Sequence, residues 1–284
     1  MTSPAVDFVV QAPDMLPTTL AALARFTHAN AIIPFGAGTP SAYRFPGVSP
    51  DAALLAAAID AGCDAAFVPR DRLLTNVRLD AMDMDSTLIT IECIDEIADL
   101  QGIKPEVSAI TASAMRGEID FAESLRRRVA LLAGRPATAL ERVYEERLRL
   151  SPGAERMLAG FAAVGAKTAL LSGGFSFFTD RLKTRLKLDH TASNSLEVVA
   201  GKLTGRIEGA IVDAEAKATT FRHLKSELCG DSGIAVVIGD GANDLPMFAA
   251  ADISLAYRAK PVVRAKATHA LDHCGLDGVL NLFA

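Results

Sequence analysis

The chain predicts an α/β protein: an open parallel sheet with a block of helices inserted after its first strand, preceded by a small α+β unit. Three observations carry this. From Ser151 onward, short apolar runs alternate with segments of helical period, the pattern of strand–helix–strand repeats. One of those runs, Ile234-Ala235-Val236-Val237-Ile238, is apolar at every position, as suits a strand covered on both faces. Between an apolar run ending at Met82 and Ser151, only helical periodicity is found.

The opening residues carry the weakest signals. Strands are read at 8–10, 31–35 and 65–68 and helices at 16–29 and 50–61, giving a small α+β domain over 1–75. Val77, Leu79, Ala81 and Met82 then mark a mostly apolar strand. In the helical block, Ile94, Ile97 and Ala98 make one apolar face stopped by Gly102. Val107, Ile110 and Ala114 make another, stopped by Gly117. Asp120 with Glu123 has capping-box spacing and starts a third helix carrying Leu125, Val129 and Leu132. Beyond Ser151 come a helix over 154–164, a strand over 167–171 running into Ser172-Gly173-Gly174, and a helix with Phe175, Phe178, Leu182 and Leu186 on one face. Strands at 196–199 and 202–207 turn across Ala200-Gly201 as a hairpin. Asp213 caps a helix with Phe221, Leu224 and Leu228 inside, ended by Gly230. The 234–238 strand, a helix from near Gly241, a strand at 253–256 and a helical C-terminus complete the chain. An insertion at about 91–150 in a core spanning 76–284 would lie over the strand ends, where such sheets bind ligands, and reads as a lid.

With 50% hydrophobic and 22% charged residues among 284, a sizeable core is expected and wholesale disorder is not. A net charge of -5 argues against nucleic acid as the main partner. The four cysteines (Cys63, Cys93, Cys229, Cys274) have no paired or zinc-type spacing, which suits a reducing compartment. The five histidines (His28, His190, His223, His269, His273) show no ligand spacing and read as structural. The opening Met1-Thr2-Ser3-Pro4 lacks a basic segment, and Asp7 interrupts the apolar stretch after it. The most apolar segment, 52–59, falls well short of the ~20 residues of a membrane span. A soluble, cytoplasmic protein with no membrane or nucleic-acid partner is expected. Oligomeric state, a homodimer included, is left open.

Chemistry concentrates in four segments. Asp83-Met84-Asp85-Ser86-Thr87 follows the first core strand, where continued extension would set two like charges side by side. Burying either carboxylate is costly unless it is paired or metal-bound. The pair makes sense as a cation site with a nucleophile and a proton carrier, which points to phosphoryl transfer. Ser172-Gly173-Gly174 offers a hydroxyl and backbone N–H groups where a helix is expected to open, an anion site. Lys217 sits early in the helix capped by Asp213, and Gly239-Asp240-Gly241-Ala242-Asn243-Asp244 follows the all-apolar strand. Singly, each has a plain alternative: Lys217 as a surface charge, Asn243 and Asp244 as helix caps, Ser172-Gly173-Gly174 as a turn. Their joint occurrence in this order is what overturns those alternatives.

That ordered set resembles the motifs of the haloacid dehalogenase superfamily of phosphohydrolases. Ile91-Glu92-Cys93-Ile94-Asp95-Glu96-Ile97, Phe121 with Ser124-Leu125-Arg126-Arg127-Arg128-Val129, and Gly201-Lys202-Leu203-Thr204-Gly205 look closest to its phosphoserine phosphatase family. The resemblance covers residues 77–284 and implies a Rossmann-like core with a helical cap. It implies Mg²⁺-dependent hydrolysis of O-phospho-L-serine to L-serine and phosphate, the last step of serine biosynthesis. By resemblance, Asp83 is the nucleophile and Asp85 the proton carrier. Asp83, Asp240 and the Asp85 backbone carbonyl hold the metal, with Asp244 steadying them. Ser172, Gly173, Lys217 and Asn243 bind the substrate's phosphoryl end. Glu92 meets the ammonium, Arg128 the carboxylate, and Met115 and Phe121 line the apolar side. The N-terminal unit resembles, more distantly, amino-acid-binding regulatory domains. Two rival readings stay open: a phosphotransferase passing the group to another alcohol such as homoserine, and a regulatory binding protein with an idle core.

Overall fold

The computed structural model describes residues 5–27, 29, 31–36 and 41–284. His28, read above as structural, lies outside the described residues. Two sheets organise the chain. The first holds β1 (Val6–Ala12), β2 (Ile33–Phe35), β3 (Ser41–Pro46) and β4 (Asp64–Pro69) in the order β2-β3-β1-β4, all antiparallel. The helices Pro17–Thr27 and Ala52–Asp60 cover one face, burying Phe8, Val10, Leu23, Phe45, Leu54 and Ala58. The alternate residue, Val9, points to the main core, as the period of two requires.

The second sheet has seven strands: β5 (Val77–Met82), β6 (Lys167–Phe175), β7 (His190–Val199), β8 (Lys202–Glu208), β9 (Ile234–Gly239), β10 (Ile253–Tyr257) and β11 (His269–Leu271). Their order is β11-β10-β9-β5-β6-β7-β8, parallel throughout except for the β7–β8 hairpin. β9 shows why its sequence is apolar at every position. Val236 and Ile238 enter one core and Ala235 and Val237 the other, with none exposed. In β5, Asp80 is fully buried, and neither carboxyl oxygen has a hydrogen-bond partner among the described residues.

Between β5 and β6 the chain makes the helices Cys93–Leu100, Lys104–Met115, Phe121–Ala130 and Thr138–Arg142, the last running on into a wide turn at Val143–Arg147. The neck of this insertion is stapled where Ile89 pairs with Leu150, with Thr90 N–H to Arg149 O at 3.0 Å and Ser151 N–H to Leu88 O at 2.9 Å.

Three of the differences from the sequence expectation bear on the fold. β3 escaped notice because its buried residues, Ala42 and Phe45, break the period of two. The C-terminus is not an α-helix: it carries the three-residue β11 and a 3₁₀ segment, Leu276–Leu282. Ser172-Gly173-Gly174 does not open a helix, because β6 runs on in extended form to Phe175 and the helix begins at Ser176.

The two sheets are joined by polar bonds as well as apolar contact. The buried Asp64 carboxylate accepts N–H bonds from Asp272 (2.7 Å), His273 (3.2 Å) and Cys274 (2.7 Å). Gln11 donates to Gly278 O at 3.1 Å and accepts from Asn281 at 2.8 Å. Val9, Ala66 and Val68 share one core with Leu271, Cys274, Leu276, Val279 and Phe283. Among the described residues, no helix is long and apolar enough to cross a membrane.

Candidate active site

The four chemical segments converge at the carboxyl end of the parallel strands. β5 supplies the first. Its pairing continues one residue beyond the strand, Asp83 N–H donating to Ile238 O at 3.0 Å, so the sheet itself fixes Asp83. The chain then leaves in a tight turn through Met84–Leu88, where Ser86 takes φ 56°. This turn sets Asp85 beneath the start of the helix Cys93–Leu100, and its Oδ1 accepts the Cys93 N–H at 3.0 Å.

Lys217 reaches Asp83 from the first turn of Ala214–Leu228, a helix whose start Asp213 caps by accepting the N–H groups of Glu215 and Ala216. Its Nζ donates to Asp83 Oδ1 at 2.8 Å and to Asp244 Oδ1 at 2.7 Å, and the side chain is 1% exposed. Asn243 Nδ2 lies 3.3 Å from the other Asp83 oxygen. Asp240 Oδ1 accepts from Thr87 at 3.0 Å. At the end of β6, Ser172 Oγ accepts the Gly174 N–H at 2.9 Å.

These groups and the inserted helices enclose a cavity of about 190 Å³. The strand ends contribute Asp83, Asp85, Ser172, Gly173, Asp240 and Asn243; the insertion contributes Glu92, Ile94, Phe121, Leu125 and Arg128. The two sides touch where the Phe121 ring lies over Gly173: a Cβ there would sit 2.9 Å from Phe121 Cζ. Gly174 is equally constrained, since its Cβ would come within 2.6 Å of Asp85 Oδ2.

Negative charge dominates the strand-end side. Carboxylate oxygens of Asp83, Asp240 and Asp244 lie within 4.8 Å of one another, with the Lys217 ammonium between Asp83 and Asp244. Burial, then the Asp83 charge, pushes Asp240 up to about 6. Burial pulls Lys217 down, but the Asp83 and Asp244 charges outweigh it and hold the ammonium charged. Burial first, then the Glu92 charge, raises Asp85 above the ordinary carboxylate range, so it can carry a proton near neutrality. Three crowded carboxylates, two of them sharing one ammonium, make a hard-oxygen donor set suited to a divalent cation such as Mg²⁺. On the inserted side, Arg128 is half-buried, and the hydrogen bond it donates goes from Nε to Ser124 O at 3.3 Å. Its terminal nitrogens make no ion pair with the described residues, which suits a visiting anion.

Of the residues singled out from sequence, Met115 stands apart. It ends the helix Lys104–Met115, is 67% exposed and lies outside the cavity lining, because that helix turns Val107 inward instead. Lys217 lies behind Asp83 rather than on the cavity wall. Four participants were not picked out. Ile94, Leu125 and Phe175 were read only as helix core, yet they line the cavity. Asn194 is buried and ties the site together: its Nδ2 donates to Gly173 O at 2.9 Å and its Oδ1 accepts the Val212 N–H at 2.8 Å. Nothing in the polar run Thr191-Ala192-Ser193-Asn194-Ser195 distinguishes that residue beforehand.

Comparison with known proteins adds three likenesses and a family match. The family model for haloacid dehalogenase-like hydrolases matches residues 81–249. A phosphoserine phosphatase of Polaromonas sp. strain JS666 is 52% identical over 221 residues, covering 75% of this chain and 92% of the relative. The unliganded crystal structure of a probable phosphoserine phosphatase from Vibrio cholerae superposes with a TM-score of 0.85 at 40% identity, covering 98% of this chain and 86% of that one. A structure described as a phospho-aspartyl intermediate analogue of phosphoserine phosphatase gives a TM-score of 0.67 at 35% identity, over 73% of this chain and 99% of that one.

Proposed function

This chain belongs to the haloacid dehalogenase-like hydrolases and, within them, to the phosphoserine phosphatases, and from that premise we propose that it hydrolyses O-phospho-L-serine through a phosphoryl group carried briefly on Asp83. The observation that carries this reading is the placement of Asp83. Its two oxygens are held by Lys217 and Asn243 at the wall of a cavity that also holds the Arg128 guanidinium, whose terminal nitrogens make no ion pair among the described residues, and the Glu92 carboxylate, one oxygen of which accepts from Ser86.

In the first step an Asp83 oxygen attacks phosphorus as the bond to the serine oxygen breaks. Asp85, protonated beforehand by its surroundings, gives its proton to the departing oxygen. In the second step Asp85 takes a proton from water as that water attacks the same phosphorus, and phosphate leaves with Asp83 restored. Ser172, the Gly173 N–H and Asn243 would hold the phosphoryl oxygens from the cavity wall, and Lys217, from behind Asp83, would add its positive charge to them. Asp83, Asp240 and the Asp85 backbone carbonyl would hold Mg²⁺, with Asp244 steadying them through Lys217; when bound, the metal offsets phosphoryl charge. Hydrolysis of phosphate monoesters needs up to ~10²¹-fold acceleration, whereas proton transfer supplies only about 10²–10⁴. Covalent attack and fixed positive charge must supply most of the rest.

Arg128 would grip the substrate carboxylate and Glu92 its ammonium, with Phe121, Ile94 and Leu125 against the carbon chain. Residues 1–75 would form a regulatory domain packed on the phosphatase core, and about 91–150 the cap, in a cytoplasmic enzyme closing serine synthesis. The test is phosphate release from a panel of phosphorylated amino acids in Mg²⁺, with and without homoserine. O-Phospho-L-serine should be strongly preferred, and homoserine should not divert phosphate. Equal turnover of esters lacking an amino acid moiety would count against the reading.

A further inference from the structure

Ser86 is a polar residue of the Asp83–Thr87 run left without a task above, and it is the one of the five with a positive φ. It sits at φ 56°, ψ 0°, in the left-handed region. That conformation costs a residue bearing a Cβ on the order of 1–2 kcal/mol, which glycine would not incur. The strained turn delivers two bonds to the segment that starts the helical insertion. The Ser86 N–H donates to Ile91 O at 3.2 Å, and its hydroxyl donates to Glu92 Oε1 at 2.8 Å.

Glu92 has other places to go. It stands at the N-cap of Cys93–Leu100, where free N–H groups and the helix dipole attract a carboxylate, yet its side chain caps nothing. Asp85 takes the Cys93 N–H instead. Arg128, whose guanidinium lines the same cavity, offers a second attraction. A Glu92–Arg128 ion pair would consume both groups that the substrate's amino-acid end needs. Held by Ser86, Glu92 keeps Oε2 free of hydrogen bonds from the described residues.

We propose that Ser86 is a positioning residue for substrate specificity: its hydroxyl pins the Glu92 carboxylate away from its own helix and from Arg128, leaving one oxygen for the ammonium of an amino-acid phosphate ester. This rests on the reading of Glu92 as the ammonium acceptor. A hydroxyl bonded to a charged group contributes enough that its loss should cost on the order of ten-fold in substrate affinity.

The experiment compares Ser86→Ala, Ser86→Gly, Glu92→Gln and the Ser86→Ala/Glu92→Gln pair, each in Mg²⁺. KM and kcat are measured for O-phospho-L-serine and for p-nitrophenyl phosphate, which has no ammonium. Ser86→Ala and Ser86→Gly should both raise KM for phosphoserine by about ten-fold, with much smaller shifts in kcat and in the aryl ester constants. In the Glu92→Gln background, adding Ser86→Ala should change little, because the two act as one unit. Glycine relieves the backbone strain, so a Gly variant that keeps wild-type KM would show strain rather than the hydroxyl at issue and overturn the proposal. Equal losses on both substrates, or additive effects in the pair, would overturn it too. If Glu92→Gln abolishes discrimination while Ser86→Ala preserves it, this inference alone fails; if Glu92→Gln preserves it, the reading of Glu92 fails and takes this one with it.

Discussion

Asp80 and Arg128 are two charged-type residues that the fold treats in opposite ways. Asp80 lies in the middle of β5 with no partner among the described residues, and burial pushes its pKa up to about 8 from an ordinary 3.8. The folded state therefore holds a proton there that the unfolded chain gives up, so Asp80's contribution is most favourable below about pH 4 and is lost as pH rises towards 8. The slope is at most about 1.4 kcal/mol per pH unit. Asp80→Val should accordingly raise the melting temperature more at pH 8 than at pH 5, and thermal scans at both pH values check this. Arg128, by contrast, lines the cavity with its terminal nitrogens unpaired among the described residues, and Arg128→Ala should raise KM for phosphoserine far more than for an aryl phosphate. Comparable effects on the two would remove it from substrate recognition. Neither behaviour was legible in sequence alone. Asp80 looked like one polar residue in a strand, and Arg128 like the last member of a basic run. Only the resemblance separated Arg128 from Arg126 and Arg127, which are exposed.

At the scale of elements, the site depends on glycines that let strand ends approach the catalytic turn. A methyl group at Gly174 would fall 2.6 Å from Asp85 Oδ2 and 2.8 Å from Met84 Cε. Gly174→Ala should therefore displace the proton carrier, and a misplacement of ~1 Å costs on the order of 10² in rate. The fold itself should lose only about 1–3 kcal/mol. Steady-state kcat beside a melting curve separates the two effects. Elements with strong, regular burial could be read in advance. β9 was legible because every position is apolar, and Ala214–Leu228 because Asp213 and Gly230 bracket it. β3 and β11 were not, the first because its burial is irregular and the second because three residues carry no period. The extended course of Ser172-Gly173-Gly174 was missed because long-range pairing sets it: Phe175 aligns with Asn194 of β7.

For the whole molecule, the N-terminal sheet is bound to the end of the chain by a shared core and by Asp64. Removing that carboxylate leaves three backbone N–H groups without their partner, and each buried group so stranded costs about 1–3 kcal/mol. Asp64→Ala should lower the melting temperature markedly while leaving KM unchanged, and a chain beginning at Asn76 should be less stable still. A truncated chain that melts like the full one would show the contact to be energetically idle. This contact was invisible in sequence, since Asp64 and Asp272–Cys274 are joined only by the packing of two sheets. The chemistry lies at the far end of the same logic: β5 and β9 together hold one carboxylate where phosphorus can reach it. Mass analysis of peptides from enzyme acid-quenched during turnover of phosphoserine, then reduced with borohydride, tests this most directly. The label should fall on Asp83 and vanish in Asp83→Asn, which should fold normally and not turn over; a label on any other residue, or full activity in Asp83→Asn, would contradict it.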